Sequence, residues 1–217
     1  KLPLTISGQL LGGNACVDGT TSQYLSALLL ALPCVERDSE IVVKHLAERP
    51  YVDITLQWLQ RQNIRYEHHC GDVYDTFWIT GKQRYTPFSR TISGDFSSMA
   101  TVIAAAVLLP SEVELLGLDM LDAQGDKQLI TLLQTMGADI TVEQNTITIR
   151  GGKPLTGIDI DVRDIPDLVP ILAVLGTQAS GVTRITHAAH TRIKETDRLH
   201  AIATGLSQLG ANIRELP

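Results

Sequence analysis

The sequence predicts an α/β (α+β) fold made of repeated βαβαββ units, and three observations predict it. The first is that three blocks share one grammar. Each opens with an acidic residue near a strand end and runs into a small, apolar helix. The openings are Asp18-Gly19-Thr20-Thr21-Ser22-Gln23, Gly94-Asp95-Phe96-Ser97-Ser98 and Asp164-Ile165-Pro166-Asp167. The second is the alternation of period that follows each opening: an apolar helix, a β-rich run, a more amphipathic helix and a returning strand. The third is spacing. Asp18, Asp95 and Asp167 recur about 75 residues apart, longer than the usual solenoid unit, but self-similarity at a fixed period still means stacked supersecondary units.

Each element has its own signal. The apolar helices are expected at Tyr24–Leu32, Met99–Leu109 and Leu168–Leu175, behind residues that favour helix starts. The β-rich runs are Glu40–Val43, Glu112–Leu116 and Val182–Ile185. The amphipathic helices are Val52–Gln62, Lys127–Met136 and Arg198–Leu209, and the returning strands Ile64–Glu67, Asp139–Val142 and Asn212–Glu215. A further strand is visible in the first two blocks, at Thr76–Thr80 and Thr146–Arg150. Pro87 and the polar, turn-favouring residues of Thr86–Ile92 read as a connector, so the domains are placed at 1–88 and 89–217. Lys1 to Gly8 reads as the last strand of something earlier, with no initiating methionine. The chain stops at Asn212–Pro217 just as the third block should turn into a hairpin. The expectation is therefore an interior piece of a longer protein, with two partial domains.

Composition bounds the class. Of 217 residues, 44% are hydrophobic, enough for a substantial core, and 19% are charged. No apolar run approaches the roughly 18 residues that span a bilayer, and no signal segment opens the chain. The net charge of −6 argues against a general nucleic-acid surface but leaves room for a local phosphate site. Cys16, Cys34 and Cys70 show no metal-like spacing. A reducing, cytoplasmic compartment is expected, with the thiols packed in or near the core. No metal or organic cofactor is implied: the acids do not cluster as a hard-ion site, and no His or Cys set suits a catalytic zinc.

The segment Arg192-Ile193-Lys194-Glu195-Thr196-Asp197-Arg198 packs five charges into seven residues at the mouth of an amphipathic helix. The first turn of a helix favours acids and disfavours cations. Two arginines and a lysine there suit either a salt-bridged entrance or a site that holds anions and moves protons. In Thr20-Thr21-Ser22-Gln23, three hydroxyls and an amide precede an apolar helix. An N-cap needs one hydroxyl. Several hydroxyls, the free N–H groups and the positive helix end together make a phosphate cradle. Gly94-Asp95-Phe96-Ser97-Ser98 has the same form and reads as a structural cap. Tyr51 follows Arg49-Pro50 at a helix start, where proline's missing N–H costs nothing, and an exposed tyrosine there can cover a sugar-like ring.

Blocks, charged run and small-residue helices together resemble the 3-phosphoshikimate 1-carboxyvinyltransferase (5-enolpyruvylshikimate-3-phosphate synthase) family. The resemblance covers the whole chain and is strongest over Gly13–Leu30, Arg49–Thr55, Gly94–Ala106 and Asp164–Gly210. Arg192-Ile193-Lys194-Glu195-Thr196-Asp197-Arg198-Leu199 is close to a family signature. The resemblance implies the enolpyruvyl transferase fold, an inside-out α/β barrel, in which full enzymes have two domains of three βαβαββ units with the active site between them. It also implies the reaction. The 5-hydroxyl of shikimate 3-phosphate attacks C2 of phosphoenolpyruvate, C3 gains a proton, and the adduct loses phosphate.

Site residues carry over one at a time. Thr21 and Ser22 would hold the 3-phosphate, Gln23 would lie between the two substrates, and Tyr51 would contact shikimate phosphate. Asp167 would accept hydrogen bonds from the ring hydroxyls. Either Lys194 or Asp167 would take the hydroxyl proton, Glu195 would be the acid at C3, and Arg198 would clamp phosphoenolpyruvate through its planar fork. His190 stands where members carry asparagine or histidine and reads as a binding residue. His45, His68, His69 and His187 read as surface or packing residues. Many members carry a serine two residues before Pro50. Here the residue is Glu48, whose carboxylate is expected to turn away from the phosphate.

Two other readings remain open. One is the UDP-N-acetylglucosamine enolpyruvyl transferase, which shares the fold but lacks the Lys-Glu-Thr-Asp-Arg run. The other is a non-catalytic domain fragment. The family's lysine- and arginine-bearing opening, its Asp-His-Arg segment and its late lysine are not in this sequence. The piece alone is thus expected to bind substrate weakly, without significant turnover, and its expected partners are the two substrates and the remaining N- and C-terminal segments of the same enzyme. No nucleic acid or membrane partner is expected.

Overall fold

The computed structural model describes residues 3–71, 73–143 and 146–216. The chain divides into two compact units, Lys1–Ser89 and Arg90–Pro217, each with its own buried cluster.

The first unit runs β1 (Asn14–Asp18), α1 (Ser22–Ala31), β2 (Ser39–Lys44), α2 (Arg49–Arg61), β3 (Tyr66–Cys70) and β4 (Tyr74–Ile79). Its four strands lie in the order β1-β2-β4-β3, with β1 parallel to β2 and the other pairs antiparallel. Helical spacing puts Leu25 and Leu29 on one face of α1, and Val52, Leu56 and Leu59 on one face of α2. They meet Ile41 and Val43 of β2 and Phe77 and Ile79 of β4 in one buried cluster. The same alternation that turns Phe77 and Ile79 inward also turns Asp75 inward, and it is buried. Gly19 makes the turn from β1 into α1. A Cβ there would sit 2.7 Å from Leu46 Cα and 2.8 Å from the Lys44 carbonyl oxygen, so only glycine lets the Thr20–Gln23 segment lie against the end of β2.

The second unit opens on α3 (Phe96–Leu108), capped by Asp95, whose carboxylate accepts from the N–H groups of Ser97 and Ser98. Then come β5 (Glu112–Leu116), α4 (Gln128–Thr135), β6 (Asp139–Glu143) and β7 (Thr146–Arg150). These strands pair antiparallel in the order β5-β7-β6, the order of β2-β4-β3 in the first unit. The third block follows with β8 (Leu155–Thr156), β9 (Asp159–Asp161), α5 (Val169–Gln178), β10 (Ala179–Ser180), β11 (Arg184–Thr186) and α6 (Arg198–Gln208). β8 pairs with β10 and β9 with β11, both in parallel. Phe96 and Ile103 of α3, Leu129 and Leu133 of α4, Ile147 and Ile149 of β7, and Leu172 and Leu175 of α5 share the core. Among the described residues no helix is long and apolar enough to cross a membrane.

Several expectations fail for identifiable reasons. Asn212–Glu215 forms no strand, because a strand needs a neighbour for its backbone groups and none of the described residues pairs with it. In the first two blocks the returning strand is paired by the strand after it. Residues 3–8 form no strand either: Pro3 lacks an N–H, and Gly8 turns the chain at φ +103°. Lys1 and Leu2, part of the same expected strand, lie outside the described residues. In the third block the β-run shifts to Arg184–Thr186, leaving Val182 exposed. The three cysteines are exposed rather than packed in the core. Cys16 lies on the edge strand β1, four of whose five residues are exposed, and Cys70 ends β3.

Candidate functional site

The Thr20–Gln23 segment sits at the N-terminus of α1, but Ser22 is already the first helical residue rather than a residue before the helix. Thr21 is the cap, extended at φ −128° and ψ 137°, and its hydroxyl makes no capping bond. Thr20 folds back to Asp18, its N–H donating to Oδ1 at 2.9 Å. That bond and one from the Thr20 hydroxyl hold the Asp18 carboxyl below its ordinary value, the hydroxyl contributing most. Gln23 is exposed, and Tyr51 is half-buried in the first turn of α2.

The donors of this helix end are met by Glu48. Its carboxylate Oε2 accepts from the Ser22 N–H at 3.2 Å and from the Ser22 hydroxyl at 3.0 Å. Glu48 is 2% exposed, and its backbone is left-handed at φ 55°. It precedes α2 as that helix's N-cap residue, yet its side chain makes no capping bond there and reaches α1 instead. The expectation that this carboxylate turns away is therefore reversed. A helix N-terminus attracts negative charge, and the buried Ser22 donors need an acceptor, so the carboxylate turns in.

In the second unit, the charged run holds a short 3₁₀ helix (Ala189–Ile193) followed by α6. The crowding of cations at the positive end of α6 is relieved by acids. Asp197 caps α6, accepting from the His200 N–H at 3.0 Å, and also holds Arg192 at 3.0 Å. Arg192 pairs in addition with Glu215 and donates to the Leu216 carbonyl at 3.0 Å. Arg198 is the hub. It clasps Glu195 with two parallel bonds, Nε to Oε1 at 2.8 Å and Nη2 to Oε2 at 3.0 Å, and reaches Asp167 Oδ1 with Nη1 at 2.6 Å. Asp167 lies in the 3₁₀ turn Pro166–Leu168 ahead of α5, where its carboxylate accepts from Arg198. Lys194 and His190, both half-buried, belong to the same segment.

The structure thus gathers Asp167, Glu195 and Arg198 around one guanidinium. In the first unit Thr21, Ser22 and Gln23 lie at the start of α1, and Tyr51 lies in the first turn of α2. Hydrogen bonds from Arg198 hold the Glu195 carboxyl down at about 2, so it is ionised near neutrality while Arg198 grips it. Bonding to Glu195 and then Asp167 raises Arg198 in turn, against the cost of its partial burial. A depressed acid contributes stability above its ordinary value of 4.5 and loses that contribution as pH falls through about 2. An NMR titration of the Glu195 side-chain carboxyl is expected to show a midpoint below 4.5, moving back toward 4.5 in Arg198→Met. A midpoint unchanged by that substitution would mean the clasp does not exist in solution.

Sequence reasoning missed the part played by Glu48 and by Glu215. The signal for Glu48 was present: it stands where the resemblance calls for serine. Glu215 carried no signal, because it was assigned to a strand.

Comparison with known proteins gives these residues a context. The chain is 44% identical over 216 residues to the 3-phosphoshikimate 1-carboxyvinyltransferase of Acetivibrio thermocellus, covering 100% of this chain and 50% of that protein. The protein of the same name from Methanocaldococcus jannaschii is 40% identical over 213 residues, covering 97% and 49%. Among solved structures, an EPSP synthase from Acinetobacter baumannii superposes with a TM-score of 0.64 at 24% identity, over 92% of this chain and 45% of that one. The enolpyruvyl transferase NikO from Streptomyces tendae gives 0.58 at 21% identity, over 82% and 44%. Both are likenesses of fold, the enolpyruvyl transferase fold. The chain spans about half the length of the curated relatives it matches. The model of the family described as EPSP synthase (3-phosphoshikimate 1-carboxyvinyltransferase) matches residues 1–217 from end to end, and the chain belongs to that family.

Proposed function

We propose that this chain carries part of the machinery that transfers the enolpyruvyl group of phosphoenolpyruvate to the 5-hydroxyl of shikimate 3-phosphate, releasing phosphate. The observation that carries the reading is the Arg198 fork held between Asp167 and Glu195 within the family's charged segment. A guanidinium already placed to grip carboxylates can grip the carboxylate of phosphoenolpyruvate. When it does, Glu195 loses its clasp, its pKa rises, and it becomes able to carry a proton to C3. Asp167, turned toward the same guanidinium, and Lys194, one residue before Glu195, supply the base for the 5-hydroxyl proton. Thr21, Ser22, Gln23 and Tyr51 bind the phosphorylated ring, with His190 a further hydrogen-bonding group.

In both groups a carboxylate of the chain stands where a substrate anion would stand: Glu48 on the donors of Ser22, and Glu195 with Asp167 on Arg198. Binding is therefore an exchange of anions. Because the chain spans half of its relatives, turnover is expected to need the rest of the enzyme, and binding is the proper test. Shikimate 3-phosphate titrated calorimetrically into the purified chain should bind, with weaker binding in Ser22→Ala and in Lys194→Ala. A folded chain that takes up no ligand, or variants that bind as well as the original, would overturn this assignment of the two groups.

A further inference from the structure

A third polar cluster lies outside both groups, on the hairpin of β3 and β4. The strand register pairs Cys70 directly with Asp75, and His68 sits two residues from Cys70 on the same face of β3. His68 is stacked on Phe77, ring centroids 4.0 Å apart and 11° from parallel, which fixes the plane of the imidazole. Its Nε2 lies 3.0 Å from Asp75 Oδ1 and 3.5 Å from Cys70 Sγ. One ligand atom of each residue lies within 4.8 Å of the other two. Asp75 is buried, and a buried carboxylate needs a partner. Arg49, the first residue of α2, supplies one, with Nη2 on Oδ2 at 2.7 Å and Nη1 on Oδ1 at 3.2 Å.

The arrangement is wrong for a nucleophilic cysteine triad. In a triad, thiol and carboxylate bond opposite nitrogens of the imidazole, so that one can donate while the other accepts. Here the carboxylate lies 3.0 Å from Nε2, while Sγ lies 3.5 Å from Nε2 and 4.0 Å from Nδ1, so the thiol sits beside the ring and not on the nitrogen opposite the carboxylate. A cation among the three atoms serves all of them at once. Zinc bound by thiolate, imidazole and carboxylate sits about 2.0–2.3 Å from each, which puts ligand atoms roughly 3–4 Å apart in a tetrahedron. The spacings to Nε2, 3.0 and 3.5 Å, fall in that range, and a turn of the exposed Cys70 side chain brings Sγ from beside the ring to the lone-pair side of Nε2.

We propose that His68, Cys70 and Asp75 form a binding site for a zinc-class divalent cation, with three protein ligands and one position open to water. Nε2, Sγ and Oδ1 are the ligand atoms. Arg49 gives up its 3.2 Å bond to Oδ1 and keeps the 2.7 Å bond to Oδ2, as the outer partner that orients the carboxylate. The donor set, one soft and two borderline or hard, selects zinc or cobalt over magnesium and calcium, which take only oxygens. An ion here ties the β3–β4 hairpin to the start of α2 through Asp75 and Arg49. The proposal is independent of the enolpyruvyl-transfer reading, since none of these residues is assigned to it.

The test is a titration of the reduced, purified chain with Co²⁺. One equivalent is expected to raise the visible bands of tetrahedral cobalt and a near-ultraviolet thiolate-to-cobalt band, both abolished by Zn²⁺. Cys70→Ser should lose the thiolate band, and His68→Ala should weaken binding at least about 10–100-fold, the loss seen for the less direct outer-shell changes. Cys16→Ser and Cys34→Ser should behave like the original chain. Three results would overturn the site: no thiolate band from a chain that circular dichroism shows to be folded, a band that survives Cys70→Ser, or an ion bound only between two chains on gel filtration.

Discussion

Glu48→Ser is expected to bind shikimate 3-phosphate about 10–100-fold more tightly than the original chain while being less stable without ligand. Both effects come from the contact between Glu48 and Ser22. The carboxylate accepts two hydrogen bonds at the positive end of α1, from a buried position. Hydrogen bonds to a charged group contribute about 1.5–3 kcal/mol each, so an incoming phosphate must displace a competitor worth a factor of ten or more. Taking the carboxylate away removes that competitor. It also leaves the Ser22 N–H and hydroxyl short of an acceptor, which costs about 1–3 kcal/mol in the ligand-free chain. Serine keeps the left-handed backbone of position 48, so the strain at φ 55° is common to both proteins and cancels in the comparison. Glu48→Gln separates charge from shape: its amide oxygen can still accept from Ser22, and its affinity should fall between the two. Calorimetry gives the affinities, and thermal melts with and without ligand give the stabilities. The ligand-induced rise should be larger in Glu48→Ser. Equal affinity in the original and both variants would show that the carboxylate does not compete with the phosphate.

Glu48 also shows where a sequence stops being legible. Its position before Arg49-Pro50 marks the start of α2, and by local rules its side chain should serve that helix. It serves α1 instead, bonded to a residue 26 positions earlier in the chain. Periodic burial is local, which is why the helices and the paired strands of the first two blocks could be read directly: Thr146–Arg150 and Glu112–Leu116 emerge at the residues expected. Pairing is not local. Asn212–Glu215 has as good a strand composition as its counterparts, but strand formation depends on a neighbour that composition cannot supply. The same holds for charge. The cations of the Arg192–Arg198 run look misplaced at a helix entrance until Asp167, 31 residues away, and Glu215, 23 residues away, are brought to them. Cysteine is among the most buried residue types, yet exposure here is decided by position in the sheet: Cys16 lies on the edge strand β1, and Cys70 is the last residue of the edge strand β3.

Arg198→Met is expected to weaken phosphoenolpyruvate binding by at least about 10–100-fold, measured by calorimetry with shikimate 3-phosphate present, while leaving the fold nearly as stable as before. The two halves of that expectation separate a ligand clamp from a structural bridge. Glu195 is 65% exposed and Asp167 38% exposed, so water screens both pairs, and such ion pairs contribute about 0–1 kcal/mol each after screening and side-chain ordering. Losing them should barely move a denaturation curve. A bidentate guanidinium–carboxylate contact with a ligand is a different matter, because each charge-assisted bond is worth about 1.5–3 kcal/mol and methionine replaces neither the charge nor the fork. Arg198→Lys sharpens the argument. It restores the charge but offers a point donor instead of two parallel ones, so it should recover only part of the affinity. If the arginine were only a bridge between Asp167 and Glu195, the lysine and methionine variants would change stability and leave phosphoenolpyruvate binding in step with it. If it is the clamp, affinity falls in the order arginine, lysine, methionine while the denaturation midpoint stays fixed.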